Sequence, residues 1–255
     1  MLEYNDSGNG FPLILIHGFC ESRELWKYCE KPLASHYRVI IPDLPGFGES
    51  RLEASDISID YHAEQIKHLL DALRIEQCIM IGHSLGGYVT LAFAEKYENR
   101  LKGFGLFHST AFADSEERKE NRNKTIAFIE KYGVATFAQS FVPPLFSLRN
   151  RERLKSEIED LVRIAASSSE AGVIETTIAM RDRPDRTSVL KNANVPVLLV
   201  VGKKDGTIPL EKNLEQCHLA KHSIVHFIQD AGHMGMIENK EEAQKILQSF
   251  AGFCL

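Results

Sequence analysis

Long apolar runs are missing from this chain, and no stretch approaches the ~20 consecutive apolar residues that a membrane-spanning helix needs. The N-terminus, MLEYNDSGNG, has no basic start, and the apolar segment after it is too short for a secretory signal. Neither a span nor a leader is expected, and a cytoplasmic protein is the default expectation. Paired cysteines are lacking too. The five present (Cys20, Cys29, Cys78, Cys217 and Cys254) are odd in number and contain no C-x-x-C. They fall in segments that read as core or helix, so free thiols are expected rather than a disulfide framework. Positive charge is not in excess: 30 Lys and Arg stand against 35 Asp and Glu, a net charge of −5. That balance argues against nucleic acid or an anionic membrane surface as the main partner. Internal repeats and low-complexity segments are also absent.

What is present is a chain of 255 residues with an ordinary 44% hydrophobic content, enough for one large domain. Six short apolar runs end at Gly, Asp or His: 12–18, 37–43, 77–83, 101–108, 195–202 and 223–230. Uninterrupted apolar runs of this length fit strands covered on both faces, as in a parallel sheet. Helical patterns lie between them. Ile66, Leu69, Leu70 and Leu73 form one apolar stripe within 58–74. Ala243, Ile246, Leu247 and Phe250 form another, opened by Asn239 with Glu242 three residues on, the pattern of a capping box. This alternation predicts an α/β fold, a mostly parallel, doubly wound sheet.

One region breaks the alternation. From 110 to 187 no buried strand is recognisable, and the patterns at 116–132, 151–167 and 168–181 are helical. The expected organisation is therefore a core of 1–109 and 188–255 with a helical cap inserted at 110–187. The charged run SEERKENRNK (115–124) reads as a solvated helix face. FAQSFVPPLF (137–146) is apolar, with Pro143 and Pro144 ending a helix. Its apolar residues either line a pocket, with Phe141 and Phe146 the candidates for meeting a substrate, or pack on the core.

The chemistry centres on IMIGHSLGG (79–87), which contains the G-x-S-x-G pattern around Ser84. Glycine and serine are common enough here that the pattern alone does not establish a nucleophile. A serine hydroxyl also needs a base to take its proton, and the base needs a group to orient it. In open α/β sheets such groups gather at the carboxyl ends of the strands. Two other runs end suitably. Asp205 follows the 195–202 run, and His233 follows the 223–230 run in a glycine-flanked loop. The order Ser84, Asp205, His233 is the one expected for a serine triad on this kind of sheet. An oxyanion also needs backbone donors. Leu85, after the nucleophile, offers one N–H, and Phe19 in the HGFC loop (17–20) offers the other.

Several competitors are set lower. Asp230 lies too close to His233 along one loop to brace its ring, and Asp114 is a weaker reserve acid. His17 reads as a residue holding its loop, and His83 as a packing or hydrogen-bonding residue. His218, His222 and His226 straddle a helix end, a loop and a strand, so a zinc site is not expected. GFGLF (103–107) lacks the third glycine of a dinucleotide loop.

The segments LILIHGF, IPDLPGFGES, IGHSLGG, GKKDGTIP and AGHMGMIE together resemble the recurrent signatures of the α/β-hydrolase superfamily, in the family's order. The resemblance spans the whole chain, with 110–187 in the place of the variable cap. RDRPDR (181–186) resembles the return from cap to core in small esterase-like members. It implies Ser84 as nucleophile, Asp205 as acid, His233 as base, Phe19 and Leu85 N–H groups as the oxyanion hole, and no cofactor or metal. The short N-terminal segment departs from the pattern and puts the family's first edge strand in doubt. Serine at position 84 argues against the dehalogenases and epoxide hydrolases of this fold, which use aspartate. The expected activity is hydrolysis of a small ester, thioester or lactone, with a small acyl substrate as the partner. The same triad also serves C–C bond hydrolases and lyases. A receptor-like protein with little turnover is the alternative of another class, and oligomeric state is left open.

Overall fold

The computed structural model describes residues 1–255, and its centre is one seven-stranded sheet. The chain runs through β1 (Tyr4–Ser7), β2 (Pro12–Ile16), α1 (Lys27–Ala34), β3 (Arg38–Pro42), α2 (Ile59–Ala72), β4 (Cys78–His83), α3 (Leu85–Tyr97) and β5 (Leu101–Phe107). After four helices come β6 (Val197–Gly202), α8 (Leu210–Gln216), β7 (Ser223–Ile228), α9 (Gly235–Glu238) and α10 (Lys240–Phe253). The spatial order is β1-β3-β2-β4-β5-β6-β7, parallel throughout except for β1, which runs antiparallel to β3. The expected α/β fold with a mostly parallel, doubly wound sheet is therefore the observed one.

Burial explains why the apolar runs become strands. Every residue of β4 and β6 is buried, because helices cover both faces of the sheet centre. The stripe on α2 (Ile59, Ala63, Ile66, Leu69 and Leu70) faces the same core at helical spacing. Two expectations about the sheet need correction. The first edge strand is present as β1, although its sequence YNDS is short and polar with no apolar signature; a sheet edge tolerates this because it covers little core. β7 is not buried on both faces, since it lies at the opposite edge and most of it is half-buried.

The strand order reverses at β2 and β4, so their carboxyl ends open onto the crevice where ligands gather in open α/β sheets. Between β5 and β6 lies the helical insertion: α4 (Glu116–Phe141), α5 (Lys155–Ala166), α6 (Glu170–Asp182) and α7 (Thr187–Asn192). α4 is two helices joined at Gly133, whose φ of +79° breaks the helical path. The first of them ends at Tyr132, the limit that its sequence pattern suggested. Pro143 and Pro144 then turn the chain in a single 3-10 turn. The capping box expected at Asn239 does not form. The short helix α9 runs directly into this residue, and its side chain meets only the Glu242 carboxylate, at 3.5 Å. All five cysteines are free, and no helix is long and apolar enough to cross a membrane.

Candidate active site

Ser84 sits in the tight turn between β4 and α3, with φ 49° and ψ −112°, a backbone conformation that costs a non-glycine residue about 1–3 kcal/mol. Its surroundings hold it there: the Ser84 N–H donates to the Phe107 carbonyl at 3.0 Å, and the Ser109 hydroxyl donates to the Ser84 carbonyl at 2.6 Å. The flanking glycines make the turn sterically possible. A Cβ on Gly82 would run into the Gly86 backbone, and one on Gly86 would approach the Ile16 and His17 carbonyls.

The three residues expected to act together are brought together. The Ser84 hydroxyl lies 2.9 Å from His233 Nε2, and His233 Nδ1 lies 2.8 Å from Asp205 Oδ2. The other carboxylate oxygen of Asp205 accepts from the Thr207 and Ile208 N–H groups, at 2.7 and 3.1 Å. Burial disfavours charge on both His233 and Asp205, but each stabilises the other's charged form. The net result is a His233 pKa above the ordinary histidine value and an Asp205 pKa below the ordinary carboxylate range. Asp230 is not part of this chain of bonds; its carboxylate faces the exposed Arg149. Phe19 and Leu85 flank Ser84. No protein acceptor takes the Phe19 N–H, and the Leu85 N–H begins a helix, ahead of the internal hydrogen-bond ladder.

His17 holds its loop as expected, donating from Nδ1 to the Gly18 carbonyl at 2.7 Å and accepting the Leu44 N–H on Nε2 at 2.9 Å. His83 hydrogen-bonds the Glu21 carboxylate at 3.0 Å and the His233 carbonyl at 2.9 Å, which ties the 17–22 loop to the His233 loop. Burial pushes the Glu21 carboxyl up, but His83 and the Gly18 N–H outweigh it, so it titrates below the usual carboxylate range.

Four contributors to the site were not foreseen, and two of them, Glu21 and Glu238, carry no local sequence signal of their role. Glu21 is buried beneath Gly18. Glu238 accepts from Gly232, Met234, Ser147 and Asn150, and so joins the His233 loop to the insertion. Most of 115–124 is exposed, as expected of a solvated face, but Arg118 and Arg122 depart from it. They stand four residues apart on the half-buried side of α4 and border the cavity over Ser84, and this spacing was the only available hint. Asp114, the reserve acid, is used differently: it pairs with Arg183, Arg122 and Arg118 at 2.9, 3.0 and 3.3 Å. Burial alone would raise its pKa, and the arginines hold it below the usual range.

The cavity over Ser84 has a volume of about 50 Å³, room for only a few heavy atoms beyond the reacting group. Phe19, Phe141, Leu145 and Met180 form its apolar side. Phe141 stacks on Phe137, and Phe19 meets its edge at 5.7 Å. Phe146, the other aromatic candidate for meeting a substrate, is buried in the core instead. Broader shallow depressions elsewhere, one around Arg153 and Lys240 and another around Asp71 and Arg100, contain no comparable nucleophile and base.

Comparison with known proteins bears on the fold and the family. The family model of the alpha/beta hydrolase fold matches residues 12–240. A thermophilic esterase from Thermogutta terrifontis, solved with malate bound, superposes with a TM-score of 0.95 at 31% identity, covering 99% of this chain and 93% of that one. A pimeloyl-[acyl-carrier protein] methyl ester esterase from Aeromonas salmonicida is 28% identical over 96% of this chain and 97% of its own length. Lipase 1 from Psychrobacter immobilis is 27% identical over 97% of this chain and 79% of its own.

Proposed function

The chain belongs to the alpha/beta hydrolase fold family, and from that premise we propose that it is a serine hydrolase of small carboxylic esters, thioesters or lactones. The observation that carries the reading is the unbroken chain of hydrogen bonds from the Ser84 hydroxyl through His233 to Asp205, bordering a small cavity. In this reading Ser84 Oγ attacks the carbonyl carbon as His233 Nε2 takes its proton. The Asp205 carboxylate keeps the neutral ring protonated on Nδ1 and stabilises the imidazolium that forms. The carbonyl oxygen becomes an oxyanion held by the Phe19 and Leu85 N–H groups. The tetrahedral intermediate collapses, His233 passes its proton to the leaving group, and an acyl-Ser84 ester remains. Water, activated by the same ring, then hydrolyses it. Residues 110–187 act as the cap that limits what reaches the serine.

Relatives that are esterases and a lipase support the ester reading. The test is p-nitrophenyl acetate turnover and fluorophosphonate labelling of wild type and Ser84→Ala. The reading expects a single label on Ser84 and loss of turnover by at least a thousandfold in the variant. Wild-type turnover by the Ser84→Ala protein would sink it. A folded wild type that neither turns over an ester nor takes the label would instead favour a ligand-binding protein.

A further inference from the structure

The charge around the cavity does not balance. Asp114 is the one carboxylate facing three guanidinium groups, those of Arg118, Arg122 and Arg183. Arg183 is committed: its side chain is 4% exposed, bonds the Met180 and Phe112 carbonyls, and lies over the Tyr88 ring. Arg118 and Arg122 are not. Arg118 spends one terminal nitrogen on the Thr207 carbonyl at 2.9 Å, and Arg122 reaches Asp114 through Nε at 3.0 Å. The terminal nitrogens of Arg122, and one of Arg118, have no protein acceptor at the cavity that contains Ser84. The other carboxylate at the cavity, Glu21, is already engaged by His83 and the Gly18 N–H, so it does not neutralise them.

Resting on the serine hydrolase reading, we propose that the substrate carries a carboxylate a few bonds from the scissile carbonyl, and that Arg122 and Arg118 bind it. Planar guanidinium groups with free parallel donors are matched to carboxylate oxygens. Arg118 and Arg122 border the same small cavity as Ser84, so a carboxylate that they hold lies close to the carbonyl under attack. Arg118 is also near enough for its charge to be felt at His233, which puts the anion site beside the reacting centre. A bound carboxylate returns the cluster of three arginines and Asp114 toward neutrality, whereas an uncharged ester leaves the half-exposed guanidinium donors of Arg118 and Arg122 to water.

Monoethyl succinate and its uncharged amide analogue, ethyl succinamate, are nearly the same size and differ in charge, which makes them the probes. The expected result is a wild-type kcat/KM at least tenfold higher for the acid than for the amide, as charge-assisted hydrogen bonds of this kind imply. The acid-to-amide ratio falls about tenfold in Arg122→Gln and is partly kept in Arg122→Lys, which retains the charge but not the fork. Equal hydrolysis of the two esters by the wild type overturns the inference and leaves the hydrolase reading standing. An unchanged ratio in Arg122→Gln overturns it too, since a merely structural arginine affects both esters alike. If neither ester is hydrolysed, p-nitrophenyl acetate turnover and labelling of Ser84 decide the hydrolase reading, and calorimetric titration with monoethyl succinate decides the anion site. Binding weakened about tenfold in Arg122→Gln supports the site, and no binding to the wild type refutes it.

Discussion

Asp205→Asn keeps the shape of the side chain and removes its charge, which makes it the sharpest probe of how His233 is poised. The two backbone donors at Thr207 and Ile208, 2.7 and 3.1 Å from one carboxylate oxygen, hold the amide oxygen on their side. The amide nitrogen then faces His233 Nδ1 at the place where a carboxylate oxygen sits 2.8 Å away. Two donors cannot face each other, so Nδ1 becomes the acceptor and the ring proton moves to Nε2. The lone pair that should receive the Ser84 proton is gone. Restoring the productive tautomer leaves a buried donor facing a donor, a penalty of about 1–3 kcal/mol. The imidazolium also loses its neighbouring negative charge, worth a few kcal/mol more in a partly screened site. About 5 kcal/mol in total corresponds to a rate loss of roughly a thousand- to ten-thousandfold.

The pH profile gives an independent readout. In the wild type, Asp205 raises the His233 pKa despite burial, so the acid limb of kcat/KM lies above the ordinary histidine value of 6.5. Without the carboxylate the main influence that raises this pKa is gone, burial outweighs the weaker pull of Glu21, and the residual acid limb moves to lower pH. The assay is initial rates of p-nitrophenyl acetate hydrolysis from pH 5 to 9, with circular dichroism to check the fold. A variant within tenfold of the wild type, or one whose acid limb stays in place, refutes the assignment of Asp205 as the group that orients His233.

Gly86→Ala places a methyl group against the Ile16 and His17 carbonyls, so it should lower Tm by several degrees and abolish labelling of Ser84; a labelled variant of normal Tm contradicts the steric account of the turn. Glu238→Gln turns one of two accepting oxygens into a donor facing donors. It should cost about 2–3 kcal/mol, or roughly 5–10 °C in Tm, and an unchanged Tm in calorimetry excludes this role for Glu238. Burial holds His62 and His108 neutral in the folded state down to about pH 3, while their unfolded pKa is 6.5. The unfolded chain therefore binds the extra protons first, and each residue removes about 1.4 kcal/mol per pH unit below 6.5. Urea unfolding at pH 7, 6 and 5 should show this decline, and a flat stability across that range refutes the burial argument.

The meeting of Ser84, His233 and Asp205 was readable because a parallel sheet gathers its strand ends on one edge. Ser84, Asp205 and His233 each follow an apolar run that became β4, β6 or β7, so three local signals sufficed to predict one meeting point. Contacts that join distant segments left no such trace. Glu21 reaches His83, 62 positions away, and Glu238 reaches Ser147, 91 positions away; neither spacing belongs to any helix or strand period. β1 escaped notice because four half-exposed polar residues form a strand only by virtue of the edge of β3 beside them. Arg118 and Arg122 were hidden in the most charged run of the chain. Composition alone does not separate a guanidinium turned to water from one turned inward. Register does, because both lie a whole number of turns from Ile129, the buried residue of that helix, to within the tolerance of a 3.6-residue period.

The insertion and His233 are mechanically joined, which gives the segment after Gly133 a consequence beyond recognition. The His233 N–H donates to the Leu145 carbonyl at 2.7 Å, and Glu238 links the same loop to Ser147 and Asn150. Leu145 also lines the cavity, while Phe141 and Arg122 approach it from the adjoining helix. The segment that narrows access to Ser84 is thus the segment that positions its base. A substrate that pressed on Phe141 would push on the helix after Gly133, which is continuous with the 142–150 turn, and so on the loop that aims Nε2. A substitution that loosens this turn should therefore lower kcat as well as change KM, whereas one that only widens the cavity should act on KM. The Glu238→Gln variant, kinetically profiled on a small neutral ester, separates these cases: a raised KM with unchanged kcat would mean that the insertion gates the site without holding the base.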